Sequence, residues 1–149
     1  MKENNAKRRP TERDEKMPPA SKILGLDYGT KRIGLAVAER TTRLAIPRGV
    51  IATNGALSEI ASLCRKETFD AIVIGLPLTL RGEEGAMARR VRDFGEKLLR
   101  KTNLPLFFID ERMTSRGARK VGARSVDAAA AAAILQLWLD RNEVPSQRR

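Results

Sequence analysis

Asp27 ends one apolar run, ILGLDYG, and Asp110 and Glu111 end another, LPLFFIDER; Asp127 stands at the start of a third, VDAAAAAAILQLWLD. Each acid sits where burying a charge needs a reason, because an unpaired carboxylate is costly to take out of water. Taken singly, each has an ordinary explanation. Asp27 suits an Asx-turn before Gly29, Asp110 or Glu111 suits an ion pair with Arg112 or Arg116, and Asp127 suits a first helical turn, where the macrodipole favours an anion. Their joint placement suggests more. In open α/β sheets ligands bind outside the carboxyl ends of the strands. If the first and last strands run parallel and close together, Asp27 and Glu111 converge at that end, and the last helix brings Asp127 alongside. Carboxylates so grouped repel one another unless a divalent cation neutralises them.

The residues that are missing narrow the chemistry. The chain of 149 residues has no histidine and a single cysteine, Cys64. That excludes a Ser-His-Asp or Cys-His nucleophile system, a His-containing zinc site, an intrachain disulfide and a thiolate cluster. Metal chemistry here rests on oxygen ligands and hence on hard ions, Mg²⁺ or Mn²⁺. Two such ions about 4 Å apart activate water and stabilise a leaving oxygen without a histidine base, the requirement of phosphodiester hydrolysis.

Charge supplies a partner. Lys and Arg number 29 against 18 Asp and Glu, a formal net charge of +11, which predisposes a small domain to a polyanion, nucleic acid first among them. Between Arg112 and Arg124 there are five Lys or Arg and no acid. Lys31, Arg32, Arg112, Arg116 and Arg124 are the candidate phosphate contacts, and Arg89, Arg90 and Arg92 lie early in a helix nearby; a solvated face is the bland alternative for any one of them. The six aromatic residues mostly fall in core patterns, which favours binding through backbone and charge over base stacking. No apolar run reaches the ~18 residues of a membrane helix, and the polar start has no signal-peptide core, so a cytoplasmic protein with no membrane partner is expected.

These residues must be carried by elements. Residues 1–21 hold ten charged residues and three prolines and read as a disordered basic extension. Residues 22–142 read as one folded domain, and 143–149 as a flexible tail. ILGLDYG and KRIGLAVAE form a hairpin, and LAIPRGVIAT is a third strand whose Pro47 marks an edge or an irregular entry. Leu57, Ile60, Ala61 and Cys64 recur at helical spacing after Asn54, a suitable cap. AIVIGLP is a strand covered on both faces. Met87, Val91, Phe94 and Leu98 stripe a second helix that stops near Asn103 and Pro105. LPLFFID is the last strand, and the six alanines from Ala128 to Ala133 favour a closing helix that packs closely. The order β-β-β-α-β-α-β-α makes an α/β fold, a mixed five-stranded sheet flanked by helices.

The glycines give weaker signals. GLDYGTK does not have the GxxxxGK[ST] spacing of a phosphate loop, and a strand follows it rather than a helix. Its D-x-G-T turn is similar to the phosphate-binding hairpin of actin-like ATPases, which need two lobes where this chain supplies one. Gly75, Gly82 and Gly85 read as a strand exit and a flexible approach to the second helix.

GLDYGTKRIGLAVAE, IVIGLPLTLRGEEGAMARRVRDF, FIDERMTS and VDAAAAAAILQLWL resemble, in order and spacing, the YqgF/RuvX family of Holliday-junction-resolvase-like proteins. The resemblance runs from about Lys22 to Asp140. It implies an RNase H-like fold and a cytoplasmic, divalent-metal-dependent nuclease that processes the 5′ end of pre-16S rRNA during ribosome biogenesis. The family's acidic positions fall on Asp27, Glu111 and Asp127, with Asp110 as a further neighbour. Precursor rRNA is the implied partner, with ribosomal particles beside it. A weakly catalytic or non-catalytic nucleic-acid-binding assembly factor and a DNA-junction resolvase are the alternatives. The stretch before Val126, RKVGARS, is shorter than the family's usual Lys/Gly-rich segment.

Overall fold

The computed structural model describes residues 21–113 and 123–141. The expected basic extension and C-terminal tail, Arg116 and most of the short RKVGARS segment lie outside these residues. The elements follow in the predicted order: β1 Lys22–Tyr28, β2 Arg32–Glu39, β3 Ile46–Ala52, α1 Ala56–Glu67, β4 Ala71–Leu76, α2 Ala86–Thr102, β5 Leu106–Asp110, a 3₁₀ turn Glu111–Met113 and α3 Ala123–Arg141.

The strands order β3-β2-β1-β4-β5. β1, β2 and β3 form an antiparallel meander, and β4 and β5 add parallel to β1. The central strands β1 and β4 are covered on both faces, which is why AIVIGL is buried at every position. Pro47 lies on the edge strand, and the β2–β3 register slips between Leu35 and Ala36, opposite the segment that holds it. An edge and a bulge are where a residue without an N–H is tolerated.

Alternation along the strands divides the core in two. Leu24, Leu26, Ile33, Ile72 and Ile74 face α1 and α2. Ile23, Ala36, Val73, Phe107 and Ile109 face α3.

Four expectations change at element ends. Ser21 is buried, and its carbonyl accepts the Arg40 N–H at 3.0 Å, so this residue, expected in the extension, packs with the domain. The N-cap of α1 is Gly55 at φ 82°, not Asn54. The buried stripe of α2 is Ala88, Val91, Phe94, Gly95 and Leu98, with Met87 only partly covered. α3 begins at Ala123, so Asp127 is its fifth residue and not part of the first turn. The macrodipole therefore does not explain that acid, because its influence fades beyond one turn.

Candidate active site

The carboxyl ends of β1, β4 and β5 lie side by side at one end of the sheet. Asp27 is paired with Gly34 of β2. On its other side Leu26 pairs with Ile74, so the next step of the parallel register sets Asp27 beside Gly75 of β4. Asp27 follows Ile23 by an even number of residues and shares its face of the sheet, the face covered by α3.

The two flanking glycines hold the geometry. A Cβ on Gly34 would lie 2.0 Å from the backbone oxygen of Asp127. A Cβ on Gly75 would lie 2.6 Å from Oε1 of Glu111 and 2.6 Å from Cδ1 of Ile134. At Gly34 the obstacle is backbone and no side chain fits; at Gly75 a side chain would have to displace the ends of Glu111 and Ile134. The missing side chains let the start of α3 settle on β2 and let the Glu111 carboxylate lie over β4. Asp27 therefore stands on the strand between the two others. The sequence reading treated Gly75 as a strand exit and did not single out Gly34. Both sit inside apolar strand runs, a position that signals close backbone approach.

Asp127 accepts a hydrogen bond from Arg32 Nε at 2.8 Å, with the Arg32 side chain 48% exposed and that of Asp127 24%. Arg32, expected as a phosphate contact, thus has a carboxylate partner. Among the described residues no three His, Cys, Asp or Glu side chains stand close enough to hold an ion as they lie. The three acids agree with a hard cation in donor chemistry and in backbone placement. The Asp127 carboxylate is occupied by Arg32 as it stands.

Asp110 is separated from them. It follows Phe108, which packs with the core under α1 and α2, and so belongs to the opposite face. Arg112 grips it: Nε lies 3.0 Å from each carboxylate oxygen, Nη2 lies 2.6 Å from Oδ2, and the Arg112 N–H donates to Oδ1 at 3.0 Å. The guanidinium holds the Asp110 carboxyl below its ordinary range. This corrects two expectations: Asp110 is not grouped with the other acids, and Arg112 is engaged within the protein. The ordinary ion pair weighed for Asp110 is the one observed.

Lys31 lies exposed in the β1–β2 turn. Arg124 falls in the first turn of α3, its side chain outside the described residues. A cavity of about 280 Å³ opens between α1 and α2, lined in part by Tyr28, Ser58, Arg90, Phe94 and Lys97. It lies on the face opposite Asp27 and does not include the acids. No helix among the described residues is long and apolar enough to cross a membrane.

Comparison with known proteins places this arrangement. A protein from Anaeromyxobacter sp., named "Putative pre-16S rRNA nuclease", is 43% identical over 133 residues, covering 80% of this chain and 96% of its own. The protein of that name from Thermosynechococcus vestitus is 40% identical over 131 residues, covering 79% and 87%. Among solved structures, Thermus thermophilus RuvC in complex with a Holliday junction substrate superposes with a TM-score of 0.56 at 13% identity, covering 83% of this chain and 96% of that one. That likeness concerns the fold, which is RNase H-like. The family model described as "RuvX: Holliday junction resolvase" matches residues 21–141, and the chain belongs to the RuvX family.

Proposed function

We propose that the chain is a divalent-metal-dependent nuclease that cleaves precursor 16S rRNA in the cytoplasm, with Asp27, Glu111 and Asp127 as its catalytic carboxylates. One observation carries the reading. Gly34, closed to a side chain by the Asp127 backbone, and Gly75, over which the Glu111 carboxylate lies, flank Asp27 at the carboxyl end of the parallel strands. Carboxylates at neighbouring strand ends repel one another, and a bound cation would relieve that repulsion. The names of the Anaeromyxobacter and Thermosynechococcus relatives support the RNA substrate.

Asp27, Glu111 and Asp127 would hold Mg²⁺ or Mn²⁺, which when bound supplies a water of lowered pKa and charge stabilisation at the leaving oxygen. Asp27, on a strand paired on both sides, is the most rigid of the three and sets where the reacting phosphate must lie. Glu111 completes the acidic wall from β5. Asp127 contributes from α3 and gives up Arg32 as it does so. Arg32, 48% exposed, and Lys31 then face the substrate backbone as cations.

The Arg32–Asp127 pair also favours a second reading, a nucleic-acid-binding assembly factor with weak or no catalysis, because it already neutralises one of the acids. Incubation with labelled precursor 16S rRNA fragments and with four-way DNA junctions, each in Mg²⁺, Mn²⁺ or EDTA, separates the possibilities. Metal-dependent products from RNA alone support the nuclease. Tight binding without products supports the assembly factor, and junction cleavage would move the substrate to DNA.

A further inference from the structure

The segment between β4 and α2 is a small, ordered hairpin and not the flexible approach its glycines suggested. Leu78 and Glu84 form an antiparallel bridge. The Thr79 N–H donates to the Glu83 carbonyl at 2.8 Å, the Gly82 N–H donates to the Thr79 carbonyl at 2.8 Å, and the Glu83 N–H donates to Thr79 Oγ1 at 3.1 Å. Gly82 sits at φ 83°, the left-handed position that closes a three-residue hairpin loop.

The hairpin is fastened on both sides. Arg112, while gripping Asp110, reaches the carbonyls of Leu80 at 3.2 Å and Thr79 at 3.4 Å through Nη1. From α2, Arg92 Nε donates to Glu84 Oε2 at 2.7 Å, and Arg89 Nη1 to the Glu84 carbonyl at 3.4 Å. At the tip stands Leu80, 90% exposed and well beyond Leu44 at 58% and Ile46 at 52%. A single exposed leucine is unremarkable on a mobile loop. Here it is held out by a turn tied at both shoulders, and that turn leaves the carboxyl end of β4, the strand whose Gly75 lies under Glu111.

We propose that residues 78–84 form a preorganised finger whose Leu80 packs against an unpaired or terminal base of structured RNA entering the carboxylate site, with Arg112 as the positioning residue that braces it. This rests on the nuclease reading for the direction of approach. Charge favours an apolar contact over a phosphate contact, because the finger carries Arg81 against Glu83 and Glu84 and adds no net positive charge. Apolar side chains pressed against base steps are an established means of opening a stack, and a rigid tip loses little entropy on docking. Arg112 faces protein carbonyls and a carboxylate, which removes it from the set of phosphate contacts.

The test uses the full chain in EDTA, so that binding is read without cleavage and a failure of the finger differs from a failure of the nuclease reading. The probe is an RNA hairpin with a single-stranded flank and 2-aminopurine at the junction. Wild type should raise the 2-aminopurine fluorescence on binding. Leu80→Ala should cut that rise by at least half and weaken binding about 3- to 10-fold, with the slope of log affinity against log salt unchanged. Arg112→Gln should weaken binding similarly, also at unchanged slope, because no phosphate contact is lost. Leu80→Met, which keeps an apolar tip, should restore most of the signal. If Leu80→Ala binds and unstacks like wild type, the finger does not touch RNA. If Arg112→Gln flattens the salt slope by about one phosphate's worth, roughly 0.7–0.9, Arg112 is a phosphate contact and not a brace.

Discussion

The two faces of the sheet are packed alike over most of their area and differ at the carboxyl ends of the strands. The face under α1 and α2 is packed with large side chains, among them Leu24, Leu26, Ile72, Ile74, Val91 and Leu98. On that side the acid that ends β5, Asp110, is neutralised by Arg112. The face under α3 is also filled by large side chains, Ile23, Phe107, Ile134, Leu135 and Trp138 among them, but towards the carboxyl ends of the strands it gives way to Gly34 and Gly75 on either side of Asp27. Large side chains fill space and bury area. Small ones let a helix come near enough to bring its backbone and a carboxylate to a strand end. Both faces hold the fold, and the one under α3 gives up packing volume only at Gly34 and Gly75, beside Asp27.

That contrast can be broken from either side. Leu98→Ala, in the large-residue core with its side chain fully buried, should cost about 2–5 kcal/mol through lost burial and a cavity. Chemical denaturation should show this loss while metal binding at saturating native protein is retained. Gly34→Ala works the other way. Its new Cβ would collide with the Asp127 backbone at 2.0 Å, so α3 must shift, at about 1–3 kcal/mol for overpacking. The expected signature is metal affinity and cleavage lost out of proportion to the fall in melting temperature. Equal, small losses of both would show that the close approach at Gly34 does not position the acids.

A smaller effect sharpens the comparison at the sheet's other end, where the surface ion pairs are structural only. Glu67, at the end of α1, is hydrogen-bonded to Arg48 and Lys22. Arg48 chiefly pulls its carboxyl down to about 2. Because the folded value lies below the unfolded one, near 4.3, this contribution is fully present above about pH 4.5 and lost as pH falls towards 2. Thermal melts across that window should fall less steeply for Glu67→Gln than for wild type. Smallest of all is the response of Cys64. Burial raises its thiol to about 11, so a thiol reagent at pH 8 should label it only as fast as the protein opens.

How much of this could be read from the chain differs by level. Strand and helix order was legible because ILGLDYG, AIVIGLP and LPLFFID are apolar runs of strand length and the α2 stripe has helical period. The placement of Asp27 and Glu111 at the carboxyl ends of their strands was legible because each closes an apolar run. The distinction between Asp110 and Glu111 was not, because neighbours in a strand point to opposite faces and only the register tells which face is which. The start of α3 was misplaced because Ala123, Arg124 and Ser125 extend a helix as readily as the alanines that follow. The Arg112–Asp110 pair was among the ordinary explanations for that acid, whereas the engagement of Arg32 with Asp127 was missed for a simpler reason. A long cationic side chain has many carboxylates in reach, and sequence distance does not choose among them.

The central claim is that Asp27 belongs to a shared cation site and not to a structural ion pair. Calorimetric titration of wild type and Asp27→Asn with Mn²⁺, with melting temperatures measured in EDTA, tests it directly. The substitution keeps the shape and removes one of the mutually repelling charges. The account predicts that Mn²⁺ binding weakens at least tenfold while the metal-free melting temperature holds or rises. Equal Mn²⁺ affinity in the two proteins, or a marked loss of metal-free stability in Asp27→Asn, would contradict it.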